Sequence, residues 1–166
     1  MVERSPVINK KKIVYEGLFS VQELYTAIEA FQNHHGYTRK DIVGGEFVKK
    51  DGRTINQRFE LIKQLSEYAT SVLHINIKLF NIKDVHVEKE GIKRNLNQGK
   101  IEFLLDAYFE TDFEHRWENK PGFFFIRILF DKYLFKPFTT DYEGLIAKDF
   151  HAFTSEIKAH LHLYKY

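Results

Sequence analysis

Ser71–Phe80 reads SVLHINIKLF and Ile101–Glu110 reads IEFLLDAYFE, and the fold turns on these two stretches. In the first, Leu73, Ile75, Ile77 and Leu79 alternate with His74, Asn76 and Lys78. In the second, Ile101, Phe103, Leu105, Ala107 and Phe109 alternate with Glu102, Asp106 and Glu110. A period of two places each apolar set on one side of a pleated strand. A sheet buried on both faces would read as continuous apolar runs, so this alternation predicts an antiparallel sheet covered on one side only.

Working outward, the punctuation between strands is that of hairpins. Asp51-Gly52 is a type I′ turn signal, Glu90-Gly91 a weaker one, and Phe59–Leu65 supplies a further strand. Gly44-Gly45 reads as a turn or bulge. Toward the N-terminus, Lys11–Glu16 leans to strand and runs into a helix start. Ser20 with Glu23 makes a capping box, with Phe19 against Leu24 as a hydrophobic staple. The helix from Val21 to about His35 carries Leu24, Tyr25, Ile28 and Phe31 on one stripe, and Gly36 stands where a left-handed cap is wanted.

Toward the C-terminus, Phe123–Phe135 suits either a buried strand or a helix. The polar stripe of Arg127, Asp131 and Lys132 favours a helix, stopped by Pro137. Thr140 with Glu143 then reads as a second capping box. After it Tyr142, Ile146, Phe150, Phe153, Ile157 and Leu161 trace a long amphipathic helix to the C-terminus. The expected fold is α+β in one domain over residues 1–166: one antiparallel sheet, covered on one face by an N-terminal helix and two C-terminal helices.

This order resembles the helix-grip arrangement of START-like hydrophobic-ligand proteins, a likeness of topology alone. In such an arrangement Ile75, Ile77, Phe103 and Leu105 would line a cavity beneath Phe150 and Phe153. Three stretches, GLFSVQELYTAIEAFQNHHGY (17–37), LNQGKIEFLLDAYFETDFEHRWE (96–118) and ILFDKYL (128–134), together resemble a group of small uncharacterised archaeal proteins, and no activity comes with that likeness.

Composition bounds the function. The chain has 166 residues, 43% hydrophobic and 29% charged, the balance of one soluble globule. Its lack of cysteine excludes disulfide scaffolds, thiolate metal sites and a cysteine nucleophile. A net charge of +2 argues for neither nucleic acid nor anionic membrane. Charges at Glu3, Arg4 and Lys10–Lys12 interrupt any apolar stretch of signal-peptide length, so a cytoplasmic location is expected. No apolar run reaches the roughly 20 residues that span a bilayer.

Candidate chemistry is sparse. Glu110, Asp112, Glu114, His115 and Glu118 could bind a hard cation or serve as acid and base, but Glu110, Asp112 and Glu114 continue the wet face of a strand. The histidine pairs His34-His35 and His160–His162 lack the i,i+4 spacing of helical zinc ligands. Phosphate-binding glycine loops and nucleophile elbows are missing, and no cofactor is implied. Lys49, Lys50, Arg53 and Arg58, joined by Lys10–Lys12, could form a basic patch, though a solvated hairpin tip is the simpler reading.

The one compositional oddity is 16% aromatic residues. It points to a non-catalytic binding or protein-interaction module whose ligand or partner surface comprises Trp117, Phe123, Phe124, Phe125, Tyr133, Phe150 and Phe153. The alternatives are a carrier of a hydrophobic small molecule or lipid, and an enzyme of the acidic cluster.

Overall fold

The computed structural model describes residues 3–67, 69–89, 91–111 and 136–162. In chain order the elements are β1 (Glu3–Phe19), α1 (Val21–His35), β2 (Thr38–Lys49), β3 (Gly52–Gln64), β4 (Ala69–Lys89), β5 (Ile92–Thr111) and α2 (Lys136–His162). The strands form one sheet in the order β1-β5-β4-β3-β2, and every pairing is antiparallel. The α+β class and the antiparallel sheet expected from the alternating stretches are therefore present.

Leu73, Ile75, Ile77 and Leu79 on β4 are buried, as are Ile101, Phe103, Leu105, Ala107 and Phe109 on β5. Each pairs across the ladder, Ile75 with Leu105 and Ile77 with Phe103, so one side of the sheet is a continuous apolar floor. Two helices roof it. Leu24, Ala27, Ile28 and Phe31 descend from α1, and Ile146, Phe150, Phe153, Ile157 and Leu161 from α2. They meet where the Phe31 ring stands edge-on to Phe153, 5.1 Å between centroids.

Local signals at α1 hold. Ser20 Oγ accepts the Glu23 N–H at 3.2 Å, and Gly36 closes the helix at φ 71°, its N–H bonded to the Gln32 carbonyl. A second N-terminal bond ties α1 to the sheet, from the Val21 N–H to Asn97 Oδ1 at 3.0 Å.

Several boundaries differ from the sequence expectation. Among the described residues one C-terminal helix covers the sheet, not two, and the segment 123–135 proposed as the other lies outside them. Pro137 stands in the first turn of α2, a position where its missing N–H costs nothing, and the helix it is expected to stop lies outside the described residues. Thr140 is consequently inside α2 and is not its N-cap. Gly44 and Gly45 make no turn: they pair with Gln57 and Asn56, and the bulge falls at Ile42, between Asp41 and Val43. The β2–β3 loop is Lys50-Asp51, with Gly52 already paired to Lys49. The short N-terminal strand becomes β1, 17 residues long, because β5 offers it a partner along most of its length.

The longest strands bend at one place. Between Phe80 and Lys83 the β4 register slips, with Asn81 at φ 54°. The kink presses the β4 backbone toward both neighbours. A Cβ on Gly52 of β3 would lie 2.8 Å from the Asn81 carbonyl carbon, and one on Gly99 of β5 would lie 2.8 Å from the Phe80 oxygen. Gly52 also sits at φ 139°, whereas nothing lies within 4 Å of a Cβ on Gly44. Gly52→Ala is therefore expected to lower stability by about 1–3 kcal/mol. Gly44→Ala should stay within about 0.5 kcal/mol or gain slightly. Urea unfolding of the two variants beside the wild type checks the contrast, and equal losses would contradict the close approach.

Candidate functional site

Of the residues expected to form a binding surface, Trp117, Phe123, Phe124, Phe125 and Tyr133 lie outside the described residues. Phe150 and Phe153 are 2% and 1% exposed, and so belong to the core beneath α2, not to a surface. The floor below them, Ile75, Ile77, Phe103 and Leu105, is equally buried, so no water-sized space touches these side chains. A crease bordered by Phe19, Leu24, His160 and Leu161 likewise encloses no room for a water molecule.

From the acidic cluster, Asp112, Glu114, His115 and Glu118 are outside the described residues. Glu110 lies on β5 and accepts from the Arg4 guanidinium, which also reaches Glu60 Oε1 at 3.3 Å. Among the described residues no three His, Asp or Glu side chains converge as metal ligands would. His35 stacks on Phe31 at 4.2 Å, and His162 stands edge-on to Tyr15 at 5.6 Å. His74 Nδ1 lies 3.6 Å from Glu60, and His86 bonds Asn95.

One polar constellation that sequence reading missed is drawn from α1, α2, the residue before β2, and strands β3 and β4. The Tyr37 hydroxyl lies 3.0 Å from Ser71 Oγ and donates to Asp149 Oδ2 at 3.0 Å. Lys63 Nζ donates to the same oxygen at 3.1 Å, and His35 Nδ1 lies 3.4 Å from the other. Tyr37 is 4% exposed and Ser71 is fully buried, while Asp149 retains partial solvent contact. Burial pushes the Tyr37 hydroxyl above the ordinary phenol range. The Ser71 hydrogen bond works in the opposite direction, and the Asp149 charge and hydrogen bond raise it further.

Such a tyrosine keeps its proton at neutral pH, and its carboxylate neighbour is already occupied by lysine. The arrangement therefore clasps α2 to the α1–β2 junction and the sheet. No local motif announced it, because its members are spread from position 35 to 149 and meet only through packing.

The opposite face of the sheet carries a second pattern. Starting from the floor residues, the ladder places Lys40, Val43, Phe47 and Lys49 of β2, Arg58 of β3, and Lys78, Phe80 and Lys83 of β4 on the outward side. Phe47 is 63% exposed, and Arg58 and Lys78 are exposed on the same face. On the inward side of the same strands, each described Arg and Lys has a carboxylate partner: Arg39 with Asp41, Arg53 with Glu46 and Asp84, Lys63 with Asp149.

The basic patch suggested by the sequence is not assembled as expected. Lys10–Lys12 lie on β1 and Lys49–Arg58 around the β2–β3 hairpin, at opposite edges of the sheet. Moreover Arg53 turns inward, whereas Lys78 and Lys83, on the neighbouring strand, join the outward set.

The clasp predicts an alkaline weakness with a definite sign. Because the folded Tyr37 hydroxyl titrates above its unfolded value of about 10, its contribution is complete below that pH and is lost as pH rises toward the folded value. Tyr37→Phe should cost about 1–3 kcal/mol at neutral pH, by leaving Ser71 and Asp149 short of a partner. It should also flatten the fall of stability above about pH 10. Urea midpoints of both proteins across the alkaline range measure this, and parallel curves would contradict it.

No family model matches this chain, and no curated protein is significantly similar to it.

Proposed function

We propose that this protein is a non-catalytic binding module whose contact surface is the outward side of the β2–β3 hairpin. The observation that carries this reading is the exposure of large apolar side chains along one edge strand. Val43 and Phe47, on the outward side of β2, are 52% and 63% exposed, and Ile42 at the bulge is 43% exposed. Among the described residues β2 has a neighbour on one side only. A cluster of this kind on an edge or face is the usual mark of a surface that meets something else.

The interior supports the same reading from the other direction. A carrier needs room for its ligand, yet the described floor and roof touch throughout, and an enzyme needs a cleft in which charged groups are poised. The polar side chains that converge around Asp149 are already satisfied by one another. On β2, β3 and β4 the cations left without carboxylates face outward, away from the described helices.

Phe47→Glu removes the largest exposed ring without touching the core, so stability should stay within the range of an ordinary surface change, about 0.5 kcal/mol. In a clarified extract of the source cells, the wild-type chain should elute in a complex larger than itself, and Phe47→Glu at the mass of the free chain. Light scattering on a dilution series separates self-association from partner capture. Identical elution of both proteins at the free mass, in extract and alone, would overturn the proposal.

A further inference from the structure

We infer that the outward face of β2, β3 and β4 binds single-stranded nucleic acid, with phosphates on its lysines and arginine and a base on Phe47. This rests on the binding-module reading and names its ligand. Over the whole chain cations exceed carboxylates by only two, but the sheet sorts them by face. Lys40, Lys49, Arg58, Lys78 and Lys83 all project outward, and none has a carboxylate partner among the described residues. The outward positions of these three strands hold one carboxylate, Glu60, which is buried and already bonded to Arg4. Outward carboxylates lie on β5 instead, where Glu102 is held by Lys12 and Lys100 and Glu110 by Arg4.

Glu60 and Glu102 stand opposite Lys40 and Lys78 in the ladder but are held by Arg4, Lys12 and Lys100, so the group keeps a net positive field that an external anion neutralises. The aromatic ring chooses between anions. Phe47 stands among the cations, exposed, and the ladder sets it in one row with Thr54 of β3 and the bulge at Phe80 of β4. Two strand spacings, about 10 Å, separate the backbones of Phe47 and Phe80. A nucleic acid strand uses both features at once, because its phosphates repeat along the backbone and every base has a face that stacks on a ring. An acidic polypeptide would satisfy the cations and leave the ring idle. Among the described residues the surface is a strand face with no helix to enter a groove, which suits an unpaired strand with splayed bases more than a duplex. Asn56 lies outward between the cations and supplies an amide able to meet a base edge.

Fluorescence anisotropy of the full chain with labelled oligothymidylate and oligouridylate tests the inference. Affinity should fall with salt, and the triple variant Lys49→Gln, Arg58→Gln, Lys78→Gln should reduce the logarithmic salt slope by about 0.7 for each phosphate no longer neutralised. Phe47→Ala should weaken binding roughly 5- to 150-fold while leaving that slope alone. Lys158→Gln, an exposed change on α2, should do neither, and thermal melts should show that all variants fold.

Equal affinity of wild type and triple variant for both oligonucleotides would overturn the inference, as would stronger binding of polyglutamate than of either. The wider reading has its own readout. If nuclease-treated extract still yields a complex that Phe47→Glu abolishes, the surface is a binding surface and its ligand is not nucleic acid.

Discussion

The structure depends on the dry side of the β4–β5 hairpin. Strands of 21 and 20 residues pair along almost their full length, and their inward positions are apolar from Ala69 to Leu79 and from Ile101 to Phe109, apart from the fully buried Ser71. An apolar strip of that size cannot remain in water, since each large side chain returned to solvent costs about 1.5–3 kcal/mol. It must be roofed, and the chain supplies two amphipathic helices from opposite ends. The remaining features follow from that requirement: α1 is fastened by Asn97 at its start, α2 is fastened by Asp149 near its middle, and Phe31 and Phe153 close the gap between them.

The roof has polar groups inside it, and their arrangement serves packing. Tyrosine, serine, lysine, aspartate and histidine converge around Asp149, a combination of residue types that suggests catalysis. In this geometry each hydroxyl and charge has a partner within hydrogen-bonding reach. Buried polar groups that satisfy one another fix the seat of an element, because any other seat leaves a donor or acceptor bare. The clasp selects one position of α2 on the sheet, which apolar contacts alone define less sharply.

On the far side of the sheet the balance is reversed. Cations that could have been neutralised internally, as Arg39, Arg53 and Lys63 are, stand without carboxylates beside an exposed ring. Overall charge conceals this, since carboxylates elsewhere cancel the sum without cancelling the local field. The kink at Asn81 contributes by bringing Phe80 and Lys83 onto the same side of β4, on either side of the bulge. A bulge inserts an extra residue and so changes which side chains share a face.

Much of this architecture was legible in the chain alone. Period-two alternation identified the floor, Ser20 and Gly36 marked both ends of α1, and the stripe from Ile146 to Leu161 identified the packed face of α2, because each of these signals is carried by residues close in sequence. Boundaries set by pairing were not legible: the length of β1 depends on β5, and α2 starts ahead of the Thr140–Glu143 pair. The candidate surfaces were the least legible. Phe150 and Phe153 are aromatic residues that sequence cannot assign to core or surface, and only their burial between helix and sheet decides it. Which lysines share a face with Phe47 likewise depends on the register of three strands and on two bulges. Local order was thus determined by the sequence itself, whereas the sorting of charge onto one face was decided by long-range pairing, whose register is a property of the assembled sheet and of no single segment.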